Sequence, residues 1–302
     1  MSSGGEATRS GPTHSTTDVC REWSQSMTDQ LKHASDEQST PVVNTVSLTD
    51  SSAADKDVLV VGAGMGTGVR GLWQHAANHL AERFRVIGWD LPGHDTSQPH
   101  QAKVGIEDLA DAVADIITTQ RAEGTIGPEA KVYYAGVSIS GQVGLQLGLD
   151  HGELFDGIAI VASAAKIGEQ AGWQERAQLV ESAGTATQVI GSVSRWFAEG
   201  FTDQHPDRAE SLQTVLEKAD QVSFARLCEA LGAFDVREAL PKISVPIVAI
   251  NGADDQVCSS SDAHLIADRV QHGAQATVEQ AAHQIPVEQP ERLAEILLEN
   301  FS

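Results

Sequence analysis

The chain has 302 residues and 41% hydrophobic content, enough for one large α/β domain with an insertion or for two domains. Its formal net charge of −22 argues against nucleic acid or an anionic membrane as partner and repels anionic substrates at long range. Three cysteines, Cys20, Cys228 and Cys258, lack paired spacing, and there is neither a basic-then-apolar leader nor a transmembrane-length apolar run, so a cytoplasmic protein without disulfides is expected.

Residues 1–16 are rich in Ser, Thr and Gly and are expected to be disordered. Over residues 17–37, Val19, Trp23, Met27 and Leu31 recur every four residues, which predicts an amphipathic helix docked on the body. Pro41 ends it, and residues 42–48 read as a strand. Residues 58–61 form a buried strand, followed by the Gly-rich stretch 62–68 and a helix through Trp73 and Leu80. Residues 85–90 are the next strand. A dinucleotide fingerprint would place its first glycine directly after the strand. The literal match, Gly66-Thr67-Gly68-Val69-Arg70-Gly71, starts five residues past the strand end. The stretch therefore reads as a wide turn that brings a backbone N–H to an active site, and no cofactor is expected. His75 and His79 lie four apart without the glutamate of H-E-x-x-H, so no metal is expected. His94, in the turn 91–97, has no partner acid placed by the pattern and reads as structural. Residues 106–119 are an amphipathic helix.

The apolar run 132–137 reads as a short buried strand that ends at Gly136-Val137-Ser138-Ile139-Ser140 and passes at once into a helix over residues 139–149. Strand, sharp turn carrying serine, then helix is the context of a nucleophile elbow, one residue short of G-x-S-x-G because Ser140 holds the last position. After a strand over 157–162, the stretch from 164 to about 234 has no strand pattern. Helices are predicted near 172–182, 187–198, 208–218 and 223–231, which together read as an inserted helical cap. Pro241 and Pro246 mark the return to the core, with a strand at 246–251, a helix at 261–270, a short strand around Val278 and a final helix at 290–298. Strand and helix alternate, which predicts a mostly parallel sheet covered on both faces. The domain reading is an extension over 1–40, a core over 41–163, a cap over 164–239 and the rest of the core over 240–302.

Asp255 follows one strand in Gly252-Ala253-Asp254-Asp255, and His283 follows another in Ala281-Ala282-His283. Serine, acid and histidine in that chain order follow the order of α/β-hydrolases. Serine needs a base: His283 would take the Ser138 proton, and Asp255 would fix the tautomer of the histidine. Asp254 is the alternative acid, but the fourth position of G-x-x-D favours Asp255. The N–H groups of Met65 and Ile139 are the expected oxyanion hole.

From about residue 58 onward the chain resembles the α/β-hydrolases, and within them the 3-oxoadipate enol-lactonases. Their elbow A-G-V-S-L-G-G stands here as Ala135-Gly136-Val137-Ser138-Ile139-Ser140-Gly141. Their A-A-K-I-G with a following Trp and Arg stands as Ala164-Ala165-Lys166-Ile167-Gly168, Trp173 and Arg176; their R-W-F as Arg195-Trp196-Phe197; and their E-Q-P as Glu288-Gln289-Pro290. The departures are Ser140 and Asp95 for Gly, a loop before Trp73 richer in glycine, and the extension before Pro41. The resemblance implies an α/β-hydrolase fold with a helical cap and cofactor-free hydrolysis of 3-oxoadipate enol-lactone in the β-ketoadipate pathway of aromatic catabolism. The substrate is then a small anionic lactone, and its carboxylate calls for a cap cation. Arg176 is the first choice, with Lys166 and Arg195 next, and Trp173 and Trp196 as pocket walls. A homo-oligomer is left open. The competing readings are a general carboxylesterase or carbon–carbon bond hydrolase on the same scaffold, and a ligand-binding receptor that kept the triad.

Overall fold

A computed structural model of the protein describes Met1, residues 40–50 and residues 54–301, so the expectations for residues 1–16 and 17–37 lie outside the described residues. The runs of Val, Ile and Leu form strands because β-branched side chains suit a pleated backbone buried on both sides. The strands are β1 (Thr45–Ser47), β2 (Val58–Gly62), β3 (Arg85–Trp89), β4 (Val132–Val137), β5 (Gly157–Val161), β6 (Ile247–Gly252) and β7 (Gly273–Val278). They make one sheet in the order β1-β3-β2-β4-β5-β6-β7, in which only β1 runs antiparallel. Every residue of β2 to β6 is buried.

Between the early strands lie α1 (Val69–Leu80), α2 (Ile106–Ala122) and α3 (Ile139–Asp150). Five helices separate β5 from β6: α4 (Gln170–Ala183), α5 (Val189–Trp196), α6 (Phe201–Gln204), α7 (Pro206–Lys218) and α8 (Gln221–Ala233). The chain closes with α9 (Ser260–Arg269), α10 (Ile285–Glu288) and α11 (Pro290–Asn300). Helix α1 packs on α10 and α11, α2 packs on α3, and α4 lies along α8 in the insertion. The expected architecture, a mostly parallel sheet flanked by helices with a helical insertion, is therefore present. No helix among the described residues is long and apolar enough to cross a membrane.

Three elements differ from expectation. The first strand is three residues rather than seven, because it pairs only with β3 and the Asn44 N–H is taken by Ser97 Oγ at 2.9 Å. Strand β7 begins earlier than expected and pairs with β6 along its whole length; it is an exposed edge of Gly, Ala, Gln and Thr with little apolar signal. The short helices α6 and α10 were not expected.

Parallel pairing sets the carboxyl ends of the strands side by side. Gly62 pairs with Gly136, Val137 with Val161, and Gly252 with Val278. The turns carrying residues 63–68, 138, 253–255 and 279–283 therefore leave one edge of the sheet, where open α/β sheets place their ligand crevice.

Candidate active site

At the end of β4 the chain turns into α3 through a single residue. Ser138 has φ 58 and ψ −119, a backbone region that L residues rarely occupy. It is held there from both sides: its N–H donates to Val161 O at 3.0 Å, and its carbonyl accepts from Ser163 Oγ at 2.6 Å and Gly141 N at 2.8 Å. Helix α3 starts at the next residue, so the Ile139 N–H is one of the orphan donors of a helix start. It has no acceptor among the described residues.

The Gly-rich turn 62–68 lies against this elbow. Ser140 is buried, and its hydroxyl donates to Ala63 O at 2.6 Å. A Cβ on Gly62 would fall 2.6 Å from Ser140 Cβ and 2.7 Å from its Oγ. Serine thus fits in the place of the usual glycine because Gly62 leaves the space, and the hydroxyl fastens the turn to the elbow. The Asp95 departure is accommodated in the same way: the residue takes φ 40, and its carboxylate fills the space over Gly68, where a Cβ would meet Asp95 Oδ2 at 2.5 Å. Two residues past Ala63, the Met65 N–H has no acceptor among the described residues, and its side chain lines the same cavity as Ser138.

Asp255 is buried in the turn after β6, and its Oδ2 lies 2.9 Å from His283 Nδ1. Its other oxygen accepts from Val257 N at 2.7 Å and Cys258 N at 3.1 Å, which fixes the carboxylate plane. With Nδ1–H donating to Asp255, the His283 Nε2 is left as an acceptor. Asp254 is exposed and has no contact with the imidazole; its N–H bonds Ala281 O at 2.9 Å. His94 lies elsewhere, fully buried, with Nδ1 on Pro92 O at 2.9 Å and its ring stacked on Phe224. Burial brings the His94 pKa down to about 4, so it is a neutral strut of the turn.

Ser138 and His283 line one narrow cavity of about 50 Å³, together with Met65, Trp173, Arg176 and Trp196. It shares Ile167, Trp173, Arg176, Arg195 and Val257 with a wider outer hollow of about 550 Å³. Arg176 lies between the rings of Trp173 and Phe224, 5.4 Å from each centroid. Its Nε is buried without a hydrogen-bond partner, and burial, then the Arg195 charge, depress its pKa. Neither Arg176 nor Arg195 makes an ion pair among the described residues. Lys166 does not reach the cavity; its ammonium pairs with Glu169 at 2.7 Å, three residues along the chain. Two polar groups on the wall went unread in the sequence: Ser192 Oγ and Gln284 Oε1 are buried with no partner. Only the place of Gln284 next to His283 gave a hint of it.

A family model described as serine aminopeptidase, S33, matches residues 53–290. The chain belongs to the α/β-hydrolase family. Among α/β-hydrolases it is similar to 3-oxoadipate enol-lactonase 2 of Acinetobacter baylyi, with 31% identity over 79% of this chain and 86% of the relative. Similarity to enol-lactonase 1 of the same organism is 30% over 83% of this chain and 91% of the relative. The crystal structure of the enol-lactonase from Burkholderia xenovorans LB400 shares the fold, with a TM-score of 0.77 at 23% identity over 85% of this chain and 95% of that one. A thermophilic esterase from Thermogutta terrifontis superposes with a TM-score of 0.76 at 20% identity, covering 85% and 92%. The protein is a hydrolase of this fold.

The shared space at Gly62 and Ser140 is testable by a double-mutant cycle. Gly62→Ala is expected to lose about 1–3 kcal/mol of stability through overpacking. Adding Ser140→Gly should return part of that loss, with Trp89 Nε1, 2.8 Å from the same Cβ position, accounting for the remainder. Urea unfolding of the four proteins measures the coupling; strictly additive losses would mean that the two residues do not share the space.

Proposed function

We propose that this hydrolase opens 3-oxoadipate enol-lactone in the β-ketoadipate pathway, with Ser138 as nucleophile, His283 as base and Asp255 as its orienting acid. The observation that carries the reading is the pair Arg176 and Arg195. In a chain with 42 acidic and 20 basic residues, two arginines without an acid partner among the described residues line the cavity that holds Ser138 and His283. Such groups suit a carboxylate that arrives with the substrate, and a guanidinium held between aromatic rings is already oriented for it. The similarity to enol-lactonases over most of the chain supports the same choice.

The reaction follows from these residues. His283 Nε2 takes the Ser138 proton as Oγ attacks the lactone carbonyl, and the resulting oxyanion accepts from the N–H groups of Met65 and Ile139. The ring C–O bond then breaks. The departing enol oxygen takes the proton from His283 and tautomerises to a ketone, so the leaving group is better than an alkoxide. Water next gives a proton to His283 and its oxygen to the acyl carbon, and the proton returns to Ser138 as the dicarboxylate leaves. Asp255 holds Nδ1–H throughout and stabilises the imidazolium. Trp173 and Trp196 wall the ring, and the unpartnered Ser192 hydroxyl offers a further polar contact.

Steady-state kinetics on the enol-lactone and on a neutral aryl ester test this reading. The lactone is expected to be turned over far more efficiently; a preference for the neutral ester would point to a general carboxylesterase. Ser138→Ala should remove several orders of magnitude in kcat with the fold intact. Asp255→Asn should be much more damaging than Asp254→Asn, and the reverse ranking would move the acid by one position.

The same pair of substrates tests the cation. Arg176→Ala should lose about 2–3 kcal/mol of transition-state stabilisation on the lactone and little on the neutral ester. Lys166→Ala should change neither. Equal losses on both substrates for Arg176→Ala would remove it as the carboxylate partner.

A further inference from the structure

The loop that carries His283 lies beyond the end of β7, and three successive backbone N–H groups, those of Ala282, His283 and Gln284, are bonded. His283 N and Gln284 N both reach Trp196 O at 3.1 Å, at the end of α5. The flanking donors converge on one side chain. Glu288, at the end of α10 and 5% exposed, accepts from Ala282 N at 3.0 Å and Gln284 N at 3.1 Å on Oε2, and from Ala198 N at 2.7 Å on Oε1. One carboxylate thus grips both sides of His283 with one oxygen and the helical insertion with the other. Trp196, two residues before Ala198, lines the cavity. The grip therefore sets the place of the histidine and of one cavity wall together.

We propose that Glu288 is a positioning residue that locks the His283 loop and the Trp196–Ala198 segment into one register, so that the histidine and the cavity wall are set as a unit. This rests on the reading of His283 as base. Three N–H donors meeting on two oxygens need a carboxylate. Glutamine would turn its own NH2 toward one of the donor sets, leaving either the loop or the insertion without an acceptor. Aspartate is a methylene short of reaching both. An ionised, buried carboxylate is also a costly choice for stability alone. Burial raises the Glu288 pKa to about 7, against the three N–H bonds and the nearby His283, which pull it down. Charged or titratable groups around it are His283 on its own loop, Asp254 from the turn after β6, and Glu199 and His205 from the insertion, the last three lining a polar hollow with Glu288; Arg208 from α7 donates to Val287 O.

The sign of the linkage separates positioning from scaffolding. A carboxyl whose folded pKa of about 7 lies above its ordinary value of 4.5 makes its full contribution to stability only below 4.5 and loses it as the pH rises from there through about 7. The ionised grip is therefore not there to raise stability at alkaline pH. Protonation below about 7 places an O–H among three N–H donors and releases one of them. Activity on the acid side should then fall with the protonation of Glu288.

The test uses the full chain with an aryl acetate and the enol-lactone as probes, and Ser138→Ala as the control for the site itself. Wild type is expected to show a steeper acid limb of log kcat/KM than Glu288→Gln. At alkaline pH the variant should keep a wild-type melting temperature while kcat/KM falls by roughly 10- to 100-fold on both probes. An unchanged slope with unchanged kcat/KM in a folded variant overturns the proposal. If the variant does not fold, amide exchange of Ala282 and Gln284 in the wild-type protein decides, after correction for intrinsic rates. Protection that drops as the pH falls through 7 supports the grip, and protection independent of pH overturns it. A wild type without Ser138-dependent turnover would instead remove the hydrolytic reading, and the exchange measurement would still report on Glu288.

Discussion

Between β4 and α3 the chain reverses with one residue to spare, and the unfavourable backbone of that reversal sits on Ser138. Left-handed geometry at a residue with a side chain persists only where the surroundings hold it. Here they are the bonds to Val161 and Ser163 on β5 and the following loop. The strain has a chemical return. It sets Ser138 on the cavity wall and leaves the first amide of α3 without an acceptor among the described residues. The same packing draws in the Gly-rich turn through Ser140 and Ala63, so a second free amide, on Met65, belongs to the same cavity. The Asp255–His283 pair then needs only the register of β6 and β7 to reach that cavity.

Electrostatics works on two scales. The overall field of a chain at −22 opposes an anionic ligand, and salt screens it beyond about 10 Å. At the cavity the balance is local: half-buried Arg176 and exposed Arg195 line it without an acid partner among the described residues, while Lys166, Arg226 and Arg237 are paired with carboxylates. Holding Arg176 between two aromatic faces keeps the cation in place without neutralising it. The same logic applies to Glu288, whose buried charge is tolerated because three N–H groups meet it.

Much of this arrangement was legible in the sequence, and the reasons differ by element. The central strands are continuous apolar runs, and the elbow and the Asp255 turn each follow one of them, so their shared edge follows from parallel pairing. The departures at Ser140 and Asp95 were visible as exceptions, but not their resolution. That the surplus glycines of the 62–68 turn make room for those two side chains is a fact of contact, not of pattern. Strand β7 was read short because an exposed edge of small residues carries no alternation. Ser192 sits on a helix among ordinary neighbours, and only its hydroxyl's lack of a partner among the described residues marks it, whereas Gln284 is hinted at by its place next to His283. Arg176 ranks above Lys166 on its spacing from Trp173, and the structure has Arg176 on the cavity wall and Lys166 beside Glu169.

The claim on which the account turns is that Ser138 is activated by a histidine which Asp255 orients. A fluorophosphonate that reacts only with activated serines, followed by intact mass and peptide mapping, addresses it without any choice of substrate. The account predicts one label per chain, on Ser138, and no label on the His283→Ala variant. A label on another residue, or labelling of Ser138 that persists without His283, would contradict it.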